Sequence, residues 1–338
     1  MNPAGKDGMK MKTISVLIPT YNEEENVVPM AAAVKNMFET ALPGYAWEIV
    51  FIDNCSKDRT REKLRELCAN DKRVKCIFNA KNFGQFNSPF YGLCQTTGDC
   101  AVLLCADFQD PVEMIPRFVE GWENGYKIVT GIKKSSKENR LMYFLRSVYY
   151  KLIKKMSDVE QIEHFTGFGL YDKSFIDVLR NLGDPAPFLR GIIAELGFRR
   201  LDIEYVQQKR RAGKSSNNFY RLYDAAMLSF TSYTKIGMRL ATILGFLSSA
   251  LSGLIAIIYL ILKLLFWNRF PMGTVPLLIG VFLLGSIQLF FIGLLGEYIL
   301  TINSRILKRP LVIEEERINF GGGDEPDNAP DNAPEHPK

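Results

Sequence analysis

Histidine is almost missing from this chain: only two occur in 338 residues. The six cysteines, Cys55, Cys68, Cys76, Cys94, Cys100 and Cys105, form no Cys-x-x-Cys pair and have no histidine near them. That excludes a structural zinc site. They read instead as free thiols in a reduced cytosolic core, with Cys105 as a buried strand residue. No serine or cysteine stands beside a recognisable base, so a nucleophilic triad is not supported. His164, just before a Thr-Gly turn, reads as structural. The net charge is only +5, and no basic face with interleaved aromatics stands out. Nucleic acid is therefore not an expected partner. No apolar leader precedes the first strand. Residues 1–12 are polar and predicted to be disordered, and the N-terminus is expected to stay in the cytoplasm.

Charge is absent from two long stretches, 240–262 and 270–296. Each is longer than the roughly 20 apolar residues that span a bilayer. A short connector, 263–271, makes the two spans a hairpin. Lys209, Arg210, Arg211, Lys214, Arg221, Lys235 and Arg239 precede the first run. Arg305, Lys308 and Arg309 follow the second, while the connector holds only Lys263 and Arg269. This asymmetry predicts both termini on the cytoplasmic side. Gly245, Ser248, Ser249, Ser252 and Gly253 in the first span, and Gly280, Gly285, Gly293 and Gly296 in the second, permit close helix packing and a homo-oligomer. Gln288 and Glu297 are the notable polar groups there, and no ionisable chain crosses the spans to suggest transport.

The first two-thirds alternates between strand and helix patterns. Short β-rich runs at 13–19, 47–52, 74–78, 99–105 and 126–131 read as strands. Helices are predicted to open after Tyr21, with Asn22 as N-cap and Glu25 at N3, and over 56–70 and 88–95. Polar residues gather where the strands end. That is an α/β, doubly wound domain with its ligand at the carboxyl ends of the strands. Residues 140–156 form an aromatic and basic helix that suits either a membrane surface or packing on the domain. From Gly321 the chain is acidic and repeats Asp-Asn-Ala-Pro, a composition for disorder.

Four stretches, taken in order, carry a resemblance. Val16-Leu-Ile-Pro-Thr-Tyr-Asn-Glu23 is similar to the opening strand of family 2 glycosyltransferases, which have the GT-A fold. Cys105-Ala-Asp-Phe-Gln-Asp-Pro-Val-Glu113 resembles the acidic metal motif of their polyprenyl-phosphate branch, that of the dolichyl-phosphate mannose synthases and GtrB-type bactoprenol glucosyltransferases. Thr166-Gly-Phe-Gly-Leu-Tyr-Asp172 and Arg211-Ala-Gly-Lys-Ser-Ser216 look like two later motifs of that branch. The match runs from about residue 13 into the second span. It implies a GT-A domain over 13–215, a juxtamembrane helix over 216–239, spans over 240–262 and 272–302, and a largely disordered cytosolic tail over 303–338.

The chemistry follows from charge. A nucleoside diphosphate leaving a sugar gathers negative charge, which a divalent cation on oxygen ligands neutralises. Asp107, at a strand end, is the best carboxylate for holding Mg²⁺ or Mn²⁺, and the resemblance adds the Gln109 carbonyl. It also places Asp53 on the base or ribose, with Pro19, Tyr21 and Glu23 lining the same pocket. Glu23 equally fits a first-turn carboxylate favoured by the helix dipole. Asp110, followed by Pro111 and by Glu113, has an N-cap pattern. A lipid monophosphate carries about −1.5 to −2 charges, so it needs positioning more than a base. Arg211 and Lys214 suit that task, with Arg146 and Ser147 beside them; attraction to anionic head groups explains the same cluster.

Three departures stand out. Cys105 occupies a place where the motif often has Asp, and a thiol is a poor ligand for hard cations. Asn54 replaces an acidic residue. Phe168 and Gly169 stand where some relatives carry Asp and Arg, so no general base is assigned; Asp172 and Asp177 are near only in sequence. The expected activity is inverting transfer of a hexose, UDP-linked by preference, to polyprenyl (undecaprenyl) phosphate at the bacterial inner membrane, for cell-envelope glycans. A processive polysaccharide synthase is the other enzymatic reading, weakened by few spans and no Gln-x-x-Arg-Trp motif. A membrane scaffold or flippase partner is the non-catalytic one.

Overall fold

A run of buried residues from Ile14 to Ile18 commits the first strand to a position covered on both faces. This strand, β1 (Thr13–Thr20), pairs in parallel with β2 (Ala46–Asp53), in register from Thr13↔Ala46 to Thr20↔Asp53. The computed structural model describes residues 11–134, 162, 165–184, 187–208, 211, 243, 247, 251, 254, 258, 261, 265, 274–306 and 310–321. By contacts the chain divides into two units. One comprises Met1–Tyr143, Ile162–Ser216 and Lys308–Lys338, the other Phe144–Gln161 and Asn217–Leu307.

The first unit is built on an eight-stranded sheet of order β7-β5-β6-β4-β1-β2-β3-β8. Beyond β1 and β2, its strands are β3 (Val74–Asn79), β4 (Cys100–Leu103), β5 (Ile128–Lys133), β6 (Phe165–Asp172), β7 (Arg200–Tyr205) and β8 (Glu314–Ile318). Strands β3, β2, β1 and β4 are parallel. β6 runs antiparallel to β4 and β5, β7 parallel to β5, and β8 antiparallel to β3. This is an α/β fold with a mixed, GT-A-like sheet. The strand order reverses around β1, and a crevice belongs at the carboxyl ends there.

The pleat sorts the core. Ile14, Val16 and Ile18 of β1 and Ile49 and Phe51 of β2 face one apolar layer. Leu17, Val50 and Ile52 face the other. Helix α1 (Val27–Ala41) buries Val27, Met30, Ala31, Val34, Met37 and Phe38 at helical spacing in the first layer. α2 (Thr60–Asn70) adds Leu64 and Cys68, and α4 (Ile115–Glu123) adds Phe118, Val119 and Trp122. α3 (Gly84–Cys94), α5 (Lys173–Leu182) and α6 (Leu189–Leu196) cover the second layer through Phe90, Phe175, Leu179 and Ile192. At the amino end of the sheet, Glu48 ties four segments together. Its carboxylate takes Ser15 Oγ at 2.6 Å, Thr97 N at 2.8 Å and Lys75 Nζ at 2.6 Å.

Several sequence expectations change here. Asn22 does not cap α1. Its φ is 55°, and its carbonyl accepts from Lys57 N at 2.8 Å. The N-cap is Asn26, whose side chain donates to Glu23 Oε2 at 2.6 Å. The motif at 166–169 is strand, not turn. Between the pairs Thr130↔Gly169 and Ile132↔Phe165 the register shifts, so the longer β6 segment bulges, with Gly167 at φ 104°. The tail expected to be largely disordered over 303–338 contains β8. Cys105 lies beyond the end of β4 and is exposed, not buried.

In the second unit, α7 (Thr274–Ile306) is one continuous helix of 33 residues. Among the described residues no helix is long and apolar enough to cross a membrane. Most of the first expected span, and the helix expected at 140–156, lie outside the described residues.

Candidate active site

Backbone strain marks the place where ligand chemistry is expected. Asn22, Cys55 and Phe108 have φ of 55°, 62° and 60°, in the left-handed region that non-glycine residues seldom enter. Each follows the carboxyl end of a parallel strand: β1, β2 and β4 respectively. Such strain collects where a fold must aim groups at a ligand.

The loop after β4 is the centre of this arrangement. Asp107 is only 6% exposed, and its Oδ1 accepts from Gln109 N at 3.1 Å. Gln109 is half-buried. The segment leaving β7 fastens onto this loop. Gln208 N donates to Gln109 O at 3.0 Å and Arg211 N to Asp107 O at 3.2 Å. The Arg211 guanidinium also lies over the Phe108 ring, 5.2 Å from its centroid. The expected acceptor residue is thus tied by its backbone to the expected metal residue, although 104 residues separate them in sequence. Lys214, Arg146 and Ser147 lie outside the described residues.

Asp107 and Gln109 both offer hard oxygen donors, which suits Mg²⁺ or Mn²⁺ completed by diphosphate and water. Among the described residues no group of three or more His, Cys, Asp or Glu is gathered to hold a metal alone. The donor set therefore fits an ion that arrives with a phosphorylated ligand.

The other end of the crevice is formed by β1 and β2. Pro19 lies in β1 and Tyr21 just past it, both half-buried. Glu23 N donates to Thr60 Oγ1 at 2.8 Å, and its carboxylate takes the Asn26 amide; it lies ahead of α1, not in its first turn as the dipole reading expected. Asp53 is fully buried. Its oxygens accept from Ser56 Oγ and, at 3.0 Å, from Ser56 N, which shapes the turn after β2. Burial raises its pKa, against the lowering pull of Ser56 and Arg61. Asn54 turns to the next loop instead. Its amide donates to Asn82 Oδ1 and Gly84 O, both at 3.1 Å, and its carbonyl accepts from Phe83 N at 2.8 Å.

A family model described as "Glycosyl transferase family 2" matches residues 15–197, from β1 through α6. A bactoprenol glucosyl transferase of Shigella phage SfX is 33% identical over 306 residues, covering 90% of this chain and 99% of its own. The chain belongs to glycosyl transferase family 2. It is a glycosyltransferase. The uncharacterized glycosyltransferase YkcC of Bacillus subtilis is 31% identical, over 89% of this chain and 93% of its own. A solved mannosyltransferase from Pyrobaculum calidifontis, in complex with GDP-Man and Mn²⁺, gives a TM-score of 0.44 at 16% identity, over 66% of this chain and 63% of its own.

The three departures of this family 2 enzyme now have physical accounts. Phe168 is 1% exposed and packs edge-on to Phe118 and Tyr205, with centroids 4.9 and 5.3 Å away. It is core. Asp172 caps α5 through Ser174 N at 2.9 Å and accepts from Trp122 Nε1 at 2.7 Å. Neither is placed as a general base. The Cys105 residue is exposed, but the surroundings of its sulfur, and after them the carboxylates of Asp110 and Asp107, push the thiol pKa well above its ordinary value. A protonated thiol leaves the metal to oxygen donors.

Asp110 corrects the sequence reading most clearly. It caps nothing: the short 3-10 turn Val112–Met114 has no side-chain cap. Asp110 is 2% exposed and accepts a short hydrogen bond from Tyr205 OH. Burial raises its pKa, against Tyr205 and Lys133. Burial likewise lowers the pKa of Lys133, while Asp110 supports its charge. Asp110, Tyr205 and Lys133 thus lie under the metal loop, and sequence reasoning missed two of them. The signal was present: Lys133 and Tyr205 each end a strand of the sheet.

Proposed function

We propose that this glycosyltransferase moves a hexose from a nucleoside diphosphate, UDP by preference, to a polyprenyl phosphate such as undecaprenyl phosphate. The observation that carries this reading is the hydrogen bond from Arg211 N to Asp107 O. It joins the backbone of a residue suited to a phosphate acceptor to that of a residue suited to a diphosphate-bound ion, which supports the reading. The bactoprenol named in the phage relative supports the same acceptor.

In this reading a phosphate oxygen of the lipid attacks the anomeric carbon. The bond from that carbon to the diphosphate breaks, and the electron pair leaves with the nucleoside diphosphate. The configuration inverts. Asp107 and Gln109 would hold Mg²⁺ or Mn²⁺, which would supply positive charge to neutralise the departing diphosphate. Arg211, with Lys214 three residues further on in sequence, orients the acceptor, an oxyanion already able to attack. Pro19, Tyr21, Glu23 and Asp53 shape the nucleotide end.

The membrane part rests on sequence and exposure. In α7, Leu277, Val281, Leu289, Ile292 and Ile299 are each at least 60% exposed. Apolar groups of that size stay uncovered in water at a large cost. With the uncharged stretches 240–262 and 270–296, this supports a hairpin in the bacterial inner membrane, catalytic unit and termini cytosolic, and a homo-oligomer through its small residues.

The test uses full-length enzyme in detergent with undecaprenyl phosphate and, separately, UDP-glucose, UDP-N-acetylglucosamine and GDP-mannose, with and without Mn²⁺. Lipid-linked sugar formed from one donor, and lost on chelation, is expected. Transfer to water alone, or to a growing glycan with no lipid-linked sugar, would sink the reading.

A further inference from the structure

The last strand reaches the sheet from the far end of the chain. β8 pairs with β3 from Cys76↔Ile318 to Asn79↔Glu314, and Ala80 N donates to Ile313 O at 2.9 Å. Two arginines of α2 meet its glutamates. Arg65 Nη2 lies 2.6 Å from Glu316 Oε2, and Arg61 Nη2 lies 2.7 Å from Glu315 Oε2. Only Arg61 goes further. Its Nε lies 3.6 Å from Asp53 Oδ2, and its guanidinium sits 5.0 Å from the centroid of the Phe78 ring.

The Arg61 side chain is 20% exposed, and its buried Nε has no hydrogen-bond partner. At 3.6 Å the contact with Asp53 is electrostatic rather than a formed hydrogen bond. A buried N–H left in this state is costly, so the guanidinium stays there only because its other contacts offset that cost. Glu315 supplies one such contact. Asp53 in turn sets the turn through Ser56, at the end of β2 where Cys55 is strained. Ile313 meanwhile ties down the exit of β3, whose loop Asn54 braces from the other side.

We infer that β8 is part of the donor site: Glu315 holds Arg61 against Asp53, and both are positioning residues for the nucleoside diphosphate sugar. The inference rests on the donor reading given above. Neither residue touches the reacting bond, so their loss acts on ground-state binding. It raises KM and leaves kcat in place.

The experiment measures UDP binding by calorimetry with Mn²⁺, and donor KM and kcat, on the full-length enzyme. Glu315→Gln and Arg61→Gln are expected to weaken UDP binding and raise donor KM about fivefold to tenfold, as for a lost charge-assisted hydrogen bond. Turnover should stay within about twofold. Glu315→Asp should recover part of the loss. Glu316→Gln removes the neighbouring ion pair to Arg65 and should leave UDP binding unchanged. Equal weakening in Glu315→Gln and Glu316→Gln would reduce the effect to loss of the strand and overturn the inference. So would wild-type affinity in Glu315→Gln and Arg61→Gln. If Arg61→Gln does not fold, Arg61→Lys takes its place, with the same expected direction. Wild-type enzyme that binds no nucleoside diphosphate would overturn the donor reading and this inference together. Wild-type binding with no response to Glu315→Gln overturns the inference alone.

Discussion

The two edges of the sheet hold their loops by different means. Beyond β7, at one edge, the attachment is backbone to backbone: Gln208 N to Gln109 O and Arg211 N to Asp107 O. At the other, β8 also pairs by its backbone, but its reach into the site is through side chains, Glu315 to Arg61 and onward to Asp53. Backbone bonds do not depend on which side chain is present. Ion pairs do, and they weaken with salt. The acceptor edge should therefore keep its geometry through most substitutions, while the donor edge can be tuned by single residues.

The largest expected effect lies at the loop after β4, which the segment beyond β7 holds. Asp107→Asn should lower kcat by about 10²–10³ or more, the scale of losing a group that stabilises transition-state charge. Release of nucleoside diphosphate with Mn²⁺ present measures it, and full turnover would remove Asp107 from the metal site. Next comes Glu48, whose loss should loosen the whole sheet. Glu48→Ala strands the half-buried Lys75 and should cost about 3–5 kcal/mol of stability, read from denaturant midpoints. Burial works to raise the Glu48 pKa, but Lys75, Ser15 and Thr97 outweigh it and lower it. The sign follows. Its stabilisation is complete above the ordinary glutamate range and fades as pH falls through the depressed value. Acid midpoints of wild type and Glu48→Gln should therefore converge at low pH.

Arg211→Ala tests the acceptor edge. Its backbone bond survives, so donor KM should hold while KM for the lipid phosphate rises about tenfold. A matching rise in donor KM would mean that the two edges are not separable. The smallest effect is ionic. Arg61 is 20% and Glu315 51% exposed, so 1 M salt should shrink the donor-affinity gap between wild type and Glu315→Gln by only about twofold.

Much of the parallel half of the sheet was legible because alternation of strand and helix is a local signal. The strands expected at 13–19, 47–52 and 74–78 appear as Thr13–Thr20, Ala46–Asp53 and Val74–Asn79. The helix expected from 56 starts only at Thr60, because Asp53 and Asp58 spend the intervening residues on turns. Asp107 and Arg211 were identified separately, but nothing in a sequence states that one hydrogen-bonds the other. Asp110 misled because an N-cap pattern is local, whereas its actual partner, Tyr205, is 95 residues away. β8 was hidden more deeply. Glu314-Glu-Glu-Arg-Ile318 lay in a tail expected to be largely disordered, and its partners Arg61 and Arg65 stand about 250 residues earlier.

Gly169 limits how this enzyme can be rebuilt. A Cβ there would stand 2.5 Å from Val129 O and 3.2 Å from Thr130 Cα, both in the backbone of β5. The resemblance noted for 166–172 implies an arginine at this point in some relatives. Grafting it here would have no room unless β5 moved, and β7 is bonded to β5 along its length. The segment that leaves β7 is the one that holds Arg211. A route from this chain to those relatives therefore cannot pass through that point mutation alone; the strand and the acceptor loop have to change hands together.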